Sequence, residues 1–401
     1  MVAPFAQRLR PLGSNVFDRM DQAKQDARQA GLDLIDLSLG SSDLLPPAEA
    51  LTTVQSALSD PDTYGYTLFH DTAAFRQACA KWYEDKFGLA VDPETEVLPL
   101  IGSQQGTALL PLALLNPGDV ALLTDPGYPS HVGGIHLAGG IPYFLPLVAE
   151  HGFLPQWDEI PAEVCRQARL LVLSYPHNPT TATATAEFWQ QTLEFCRQHE
   201  IVLAHDFPYV DWCFDGRVAP SALQADPQKT CAIEFFSLSK SYHMGGFRVG
   251  YAIGNRDLIR ALRLVKSTID FHQYQGILRG AAAALATPET FLHHWRQVYR
   301  ERRDTAVAAL HHIGWPVPLP EATMYLWAPL PTGYGGSSGQ FCLDLVKATG
   351  VALSPGSGFG SRGEGYVRFA LVVEGSRLQE AIKRIGYFLE GSLKNPGAEF
   401  E

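Results

Sequence analysis

Four short apolar runs, each ending in a polar or turn-forming cluster, limit the folds open to this chain more than any other feature. Val120 to Thr124 leads into Asp125-Pro126-Gly127-Tyr128-Pro129, and Leu170 to Tyr175 into Pro176-His177-Asn178-Pro179-Thr180. Ile201 to His205 leads into Asp206-Phe207-Pro208-Tyr209, and Ala232 to Ser239 into Lys240. A strand with one wet face alternates apolar and polar residues. Three of these runs do not, so parallel strands covered on both faces are expected. Helical patterns lie between them. In Ala186 to His199, Phe188, Leu193 and Phe195 can share a face while Glu187, Gln190, Gln191 and Glu194 fall elsewhere. Strands alternating with helices imply an α/β fold with a mainly parallel, doubly wound sheet. Such sheets bind ligands outside the carboxyl ends of their strands. Tyr128, Asn178, Asp206, Tyr209 and Lys240 are expected to gather there.

The pattern changes near residue 290. Tyr299 to Trp315 reads as a charged helix, followed by the strand-like stretches Ala322 to Pro331 and Tyr366 to Val373 and a closing amphipathic helix, Arg377 to Leu389. The expected division is a large domain over 46–289 and a smaller α+β domain built from 1–45 and 290–401. A chain of 401 residues exceeds the usual size of one domain, which fits two. Tyr334 to Gln340, rich in Gly and Ser, reads as a surface loop, and no internal repeat is found.

Charge and cysteine usage exclude several classes. The net charge is −11, with no dense Lys/Arg run, so a nucleic-acid partner is not expected. Met1 to Asn15 lacks the apolar core of a signal peptide, and no stretch approaches the roughly 18 apolar residues of a membrane span. The six cysteines are scattered and never spaced as CxxC, so reduced thiols, a cytoplasmic setting and no metal are expected. His199 to His205 fails the HExxH pattern, because Leu203 stands where the second histidine is needed.

The chemistry concentrates in a few places. Gly102 and Gly106 bracket small polar residues just before an apolar helical run, so backbone N–H groups and Ser103 could seat a phosphate. No Walker lysine follows. Pro355 to Gly365 misses GxGxxG because Ser361 takes the last glycine position. Arg248 offers a planar fork for phosphate oxygens, with the Ser237 and Ser239 hydroxyls near it in sequence. Taken singly, Lys240 is a solvated charge, Asp206 a helix cap and Arg368 a strand arginine facing water. Taken together, a lysine, a carboxylate and a phosphate cradle suit pyridoxal 5'-phosphate, which needs an amine for its aldehyde and an acid for its ring nitrogen.

Ser237 to Gly254, SLSKSYHMGGFRVGYAIG, carries the strongest resemblance, supported in order by Ile35 to Asp43, His177 to Ala182, His205 to Tyr209 and Gly363 to Leu371. Over nearly its whole length the chain resembles the fold-type I pyridoxal phosphate-dependent aminotransferases of class I/II. The similar branch includes LL-diaminopimelate, N-succinyldiaminopimelate and aspartate aminotransferases. The resemblance implies ping-pong amino transfer between an L-amino acid and a 2-oxo acid, with glutamate and 2-oxoglutarate as one pair. It implies that Lys240 holds the cofactor and moves the proton, and that Asp206 keeps the pyridine nitrogen protonated. Tyr209 and Asn178 would bond the phenolic oxygen, and Tyr128 would stack on the ring. The phosphate would rest on Ser103, the Gln104 backbone, Ser237, Ser239 and Arg248. Arg368 would take the substrate α-carboxylate, helped by the Gly40 backbone and Asn178. Tyr66 would reach the neighbouring subunit's phosphate in a homodimer.

Three positions depart from the family pattern: Asp71 and Thr181 stand where glycine is common, and Gln104 where the diaminopimelate enzymes often have lysine. A lyase or decarboxylase of the same fold would use the same groups, and a non-catalytic cofactor-binding protein is a more distant alternative. For the substrate side chain, Arg362, His70 and His272 are candidate cations, and Phe17, Tyr325 and Phe359 a candidate aromatic pocket.

Overall fold

The computed structural model describes residues 5–12 and 16–394; the remaining parts of the N-terminal stretch and of the expected smaller domain lie outside the described residues. Strand β1 (Ile35–Asp36) is short. Strands β2 (Val97–Leu100), β3 (Val120–Asp125), β4 (Ile141–Pro146), β5 (Ala168–Leu173), β6 (Val202–Asp206), β7 (Ala232–Ser237) and β8 (Gly250–Gly254) form a seven-stranded sheet ordered β2-β8-β7-β6-β5-β3-β4. The four apolar runs are β3, β5, β6 and β7, adjacent and parallel, with interiors buried on both faces. Leu110, Ile233 and Phe235 belong to the core of one face, Trp189, Leu203 and Phe236 to that of the other. The helix Ala186–Gln198 buries Phe188, Leu193 and Phe195 and exposes Glu187, Gln190, Gln191 and Glu194, as its pattern implies.

Strand β4 closes one edge, where Pro142 and Pro146 interrupt its backbone donors. Strand β8 runs antiparallel to both β2 and β7. The link from β7 to β8 holds only the short helical segments Leu238–Ser241 and Gly245–Phe247, too little for the crossover that a parallel return needs. A Cβ on Gly250 would lie 2.8 Å from the Ser103 nitrogen and 2.5 Å from the Phe236 oxygen. This glycine therefore lets the helix Ser103–Leu114 begin directly against β8.

Strands β9 (Tyr325–Pro329), β10 (Val351–Ala352), β11 (Ser354–Pro355) and β12 (Tyr366–Ala370) complete the set. An antiparallel sheet, β11-β12-β9, puts Arg368 on its central strand opposite Ser354 and Trp327. Strand β1 pairs in parallel with β10. Arg302, on the helix Glu289–His312, holds Asp43 through two hydrogen bonds of 2.7 Å each. The loop expected over Tyr334 to Gln340 is shorter than its composition suggests. Ser337 accepts a hydrogen bond from the Gln340 nitrogen, and this cap starts the helix Ser338–Thr349.

Candidate active site

The carboxyl ends of β3, β5, β6 and β7 open on a cavity of about 420 Å³. Its lining includes Gly40, Ser103, Gln104, Tyr128, Asn178, Asp206, Tyr209, Ser237, Ser239, Lys240, Arg248 and Arg368, so every expected site residue except Tyr66 meets there. These residues come from distant parts of the sequence. The doubly wound sheet brings most of them together by ending its strands on one side, while Gly40, after β1, and Arg368, on β12, come from the smaller sheets.

Lys240 follows β7 on the helical turn Leu238–Ser241, which Ser237 caps by accepting from the Ser239 nitrogen. Its ammonium donates to the Gly40 carbonyl and lies 5.6 Å from the Tyr209 ring centroid. Gly40 has no room for a side chain, since a Cβ there would sit 1.9 Å from the Tyr325 hydroxyl. Tyr209 and Tyr325 share a hydrogen bond of 2.7 Å between their hydroxyls. Burial pushes the Tyr209 phenol up. It acts on Tyr325 too, but Lys240, Arg368 and the hydrogen bond from Tyr209 bring that phenol below its ordinary value.

Asp206 ends β6 with 5% exposure. Its Oδ2 accepts from His131 Nε2 at 2.9 Å, while its buried Oδ1 has no partner. His177 lies in the same buried region, bonded through Nδ1 to Thr180 Oγ1 at 2.7 Å, and burial lowers its imidazole to about 3. Arg368 donates to Asn178 Oδ1 and to the Ser38 carbonyl, each at 2.7 Å, and its Nε has no partner. The guanidinium also lies 4.1 Å from the Tyr325 ring centroid.

At the other end of the cavity, Gly102 precedes the helix Ser103–Leu114 with φ +78°, a conformation that favours glycine. A Cβ there would meet Arg248 Nη2 at 2.4 Å, so the glycine lets the guanidinium lie against the helix start. Free N–H groups, the Ser103, Ser237 and Ser239 hydroxyls and Arg248 thus surround one spot suited to a phosphate. A phosphate seat, an unpartnered buried carboxylate oxygen and a lysine amine on one cavity fit pyridoxal phosphate at its three polar points. Among the described residues, no His/Cys/Asp/Glu group could hold a metal ion, and no helix is long and apolar enough to cross a membrane.

The other candidates separate. Tyr66 is 81% exposed, its ring 5.1 Å from that of Phe271, outside the cavity of its own chain. Arg362 and His70 are exposed, and His70 contacts Asp71 at 3.0 Å. Burial lowers His272 to about 4, and it is also outside the cavity. Phe17 and Phe359 pack edge to face at 5.5 Å in an adjoining space. The departures have local accounts. Thr181 takes φ +65°, the left-handed geometry for which glycine is common, and Asp71 accepts from the Leu68 nitrogen to close its turn. Gln104 lies 3.5 Å from the Tyr128 hydroxyl.

His131 and the Tyr325–Tyr209 pairing were not read from the sequence as parts of the site. The available signal for His131 was its spacing, three residues after Tyr128 at the start of the helix Ser130–Ala138, which turns it toward β6. Tyr325, a candidate for the aromatic pocket, does line the Lys240 cavity, but nothing in the sequence points to its bond with Tyr209.

Comparison with known proteins adds independent findings. Residues 32–385 match the family model described as aminotransferase class I and II. The chain is 42% identical over 380 residues to the LL-diaminopimelate aminotransferase of Moorella thermoacetica, covering 95% of this chain and 97% of that protein. It superposes on a probable N-succinyldiaminopimelate aminotransferase from Thermus thermophilus with a TM-score of 0.88 and 44% identity, covering 93% and 99% of the two chains. The substrate-bound BacF structure from Bacillus subtilis gives a TM-score of 0.92 at 32% identity, with 97% and 98% covered.

Proposed function

The chain belongs to the class I and II aminotransferases, pyridoxal phosphate enzymes that pass an amino group between an amino acid and a 2-oxo acid, and we propose that Lys240 carries that exchange in it. The observation that supports this most is the convergence of Lys240, Asp206, Arg248 and Arg368 on one cavity. The cofactor supplies, when bound, an aldehyde that takes up amines and a ring that accepts electrons from the substrate Cα. Lys240 would hold that aldehyde and, once displaced by substrate, move a proton between Cα and the former aldehyde carbon. Asp206 would hold a proton at the pyridine nitrogen, steadied by the N–H of His131 on its other oxygen. Asn178 gives its carbonyl to Arg368, which leaves its amide N–H groups for the phenolic oxygen, beside the Tyr209 hydroxyl. Tyr128 would cover the ring face. Ser103, the Gln104 backbone, Ser237, Ser239 and Arg248 would hold the phosphate.

Arg368 would bind the α-carboxylate as a bidentate pair, with the Gly40 backbone beside it. Arg368→Lys keeps the charge and loses the fork, so KM for the amino donor is expected to rise about 100-fold. Borohydride should still fix the cofactor to Lys240 in this variant. An unchanged KM would count against the assignment.

We read residues 46–289 as the large domain, with 1–45 and 290–401 as the smaller one, and the enzyme as a homodimer. Tyr64, Tyr66, Leu68, Ile269 and Phe271 are all exposed, an apolar set that favours an interface. Tyr66 would then reach the partner's phosphate. Mixing Lys240→Ala with Tyr66→Ala subunits should restore one intact site per hybrid dimer. Equal mixing is expected to recover roughly a quarter of wild-type activity, far above the average of the two variants. A mixture that gives only that average would exclude a shared site.

Glutamate and 2-oxoglutarate are the proposed common pair. The relatives' names suggest diaminopimelate, while Gln104 gives the cavity a neutral side chain where those enzymes often have lysine. The six free cysteines, five of them buried, fit a cytoplasmic setting. The test is spectroscopic. Glutamate should bleach the visible band of the loaded enzyme, and 2-oxoglutarate should restore it; a band that no amino donor shifts would refute the exchange.

A further inference from the structure

Beside the Lys240 cavity lies a second one, of about 340 Å³. Leu39, Tyr128 and Arg368 line both spaces, so they share a wall at the residue proposed to bind the α-carboxylate. The helix Val16–Gln29 borders the second cavity with Phe17, Met20, Asp21 and Lys24, which helical spacing puts on one face. Phe359 borders it too, and the Arg368 guanidinium lies 4.7 Å from that ring's centroid.

Among the described residues, only Lys24 and Arg368 bring positive charge to this lining. Lys24 is already matched twice, by Asp21 at 2.7 Å and Asp36 at 3.2 Å. Asp36 is itself fixed by the Ser38 nitrogen and hydroxyl at 2.9 and 2.6 Å. One ammonium facing two carboxylates leaves the polar end net negative. A second substrate carboxylate here would lose water and meet like charge, with no free cation among this chain's described residues to receive it. An apolar chain or ring would instead cover Phe17, Met20, Leu39 and Phe359.

We propose that this second cavity receives the substrate side chain, and that one amino acid of the exchange carries a long or ring-bearing, uncharged, mainly apolar side chain. The proposal rests on Arg368 as the α-carboxylate site. It concerns the partner exchanged with glutamate, whose shorter chain need not enter this space.

Calorimetric titration of the cofactor-loaded enzyme with unreactive carboxylates tests it. Hexanoate and 3-phenylpropionate are expected to bind about tenfold or more tightly than propionate, as burial of additional methylenes or a ring requires. Adipate should bind no more tightly than propionate. Phe17→Ala should remove most of the gain for hexanoate and leave propionate unchanged, which also controls for folding. Met20→Lys, adding an unmatched cation, should raise adipate affinity severalfold. Adipate matching hexanoate in the wild type, or Phe17→Ala weakening propionate as much as hexanoate, would overturn the side-chain assignment alone. Propionate affinity indifferent to Arg368→Met would overturn the carboxylate site and this proposal together.

Discussion

Lys240→Ala is expected to abolish amino transfer, with kcat reduced by at least about 10⁴-fold, because in the proposed assignment one side chain would both hold the aldehyde and move the proton. No other lysine lines the cavity among the described residues, so no second amine stands ready to replace it. The phosphate seat does not depend on this side chain. Gly102, Ser103 and Arg248 are positioned by β8 and by the start of the helix Ser103–Leu114. Cofactor should therefore remain bound in the variant while losing its covalent link. Borohydride reduction, digestion and peptide mass measurement read this directly. In the wild type the label should fall on the peptide containing Lys240, and in the variant no peptide should carry it. A label on another lysine of the wild type would refute the assignment.

Local patterns conveyed the sheet: buried runs without alternation identify β3, β5, β6 and β7 to within about two residues, and the polar clusters after them mark the ligand side. They conveyed neither the edge position of β4 nor the reversed direction of β8. That direction depends on how little helix the link from β7 contains and on the closeness permitted by Gly250. Within the site, Lys240, Asp206, Arg248 and Arg368 were legible because their chemistry is uncommon at strand ends and recurs in family motifs. His131 was less so, since its role exists only once the helix Ser130–Ala138 packs beside β6. The contact of Tyr209 with Tyr325 joins residues 116 positions apart and leaves no local trace. Arg362, His70 and His272 show the converse limit. Each has suitable chemistry for a distal carboxylate, and none lines the Lys240 cavity of its own chain.

Asp206→Ala is expected to lower kcat/KM by about 10³-fold, the scale seen when one preorganised electrostatic group is removed from a transition state. Its carboxylate is almost fully buried, with one oxygen held by His131 and the other without a partner. A buried, half-satisfied carboxylate is costly to keep unless something with a proton meets it, and the pyridine nitrogen is such a group. Alanine removes the group proposed to hold this proton and leaves His131 without its partner. Asp206→Glu keeps the charge but moves it by a methylene, so its loss should be smaller, about tenfold to 100-fold, from misplacement alone. Both variants should still be labelled at Lys240 by borohydride, since β7 and its turn are untouched. That separates loss of ring protonation from loss of the cofactor. The ring's visible absorbance gives the second readout: its pH dependence should shift in Asp206→Ala and stay near wild type in Asp206→Glu. If alanine and glutamate variants lost the same activity and kept the wild-type spectrum, Asp206 would be a structural residue, and the unpartnered oxygen would need another explanation.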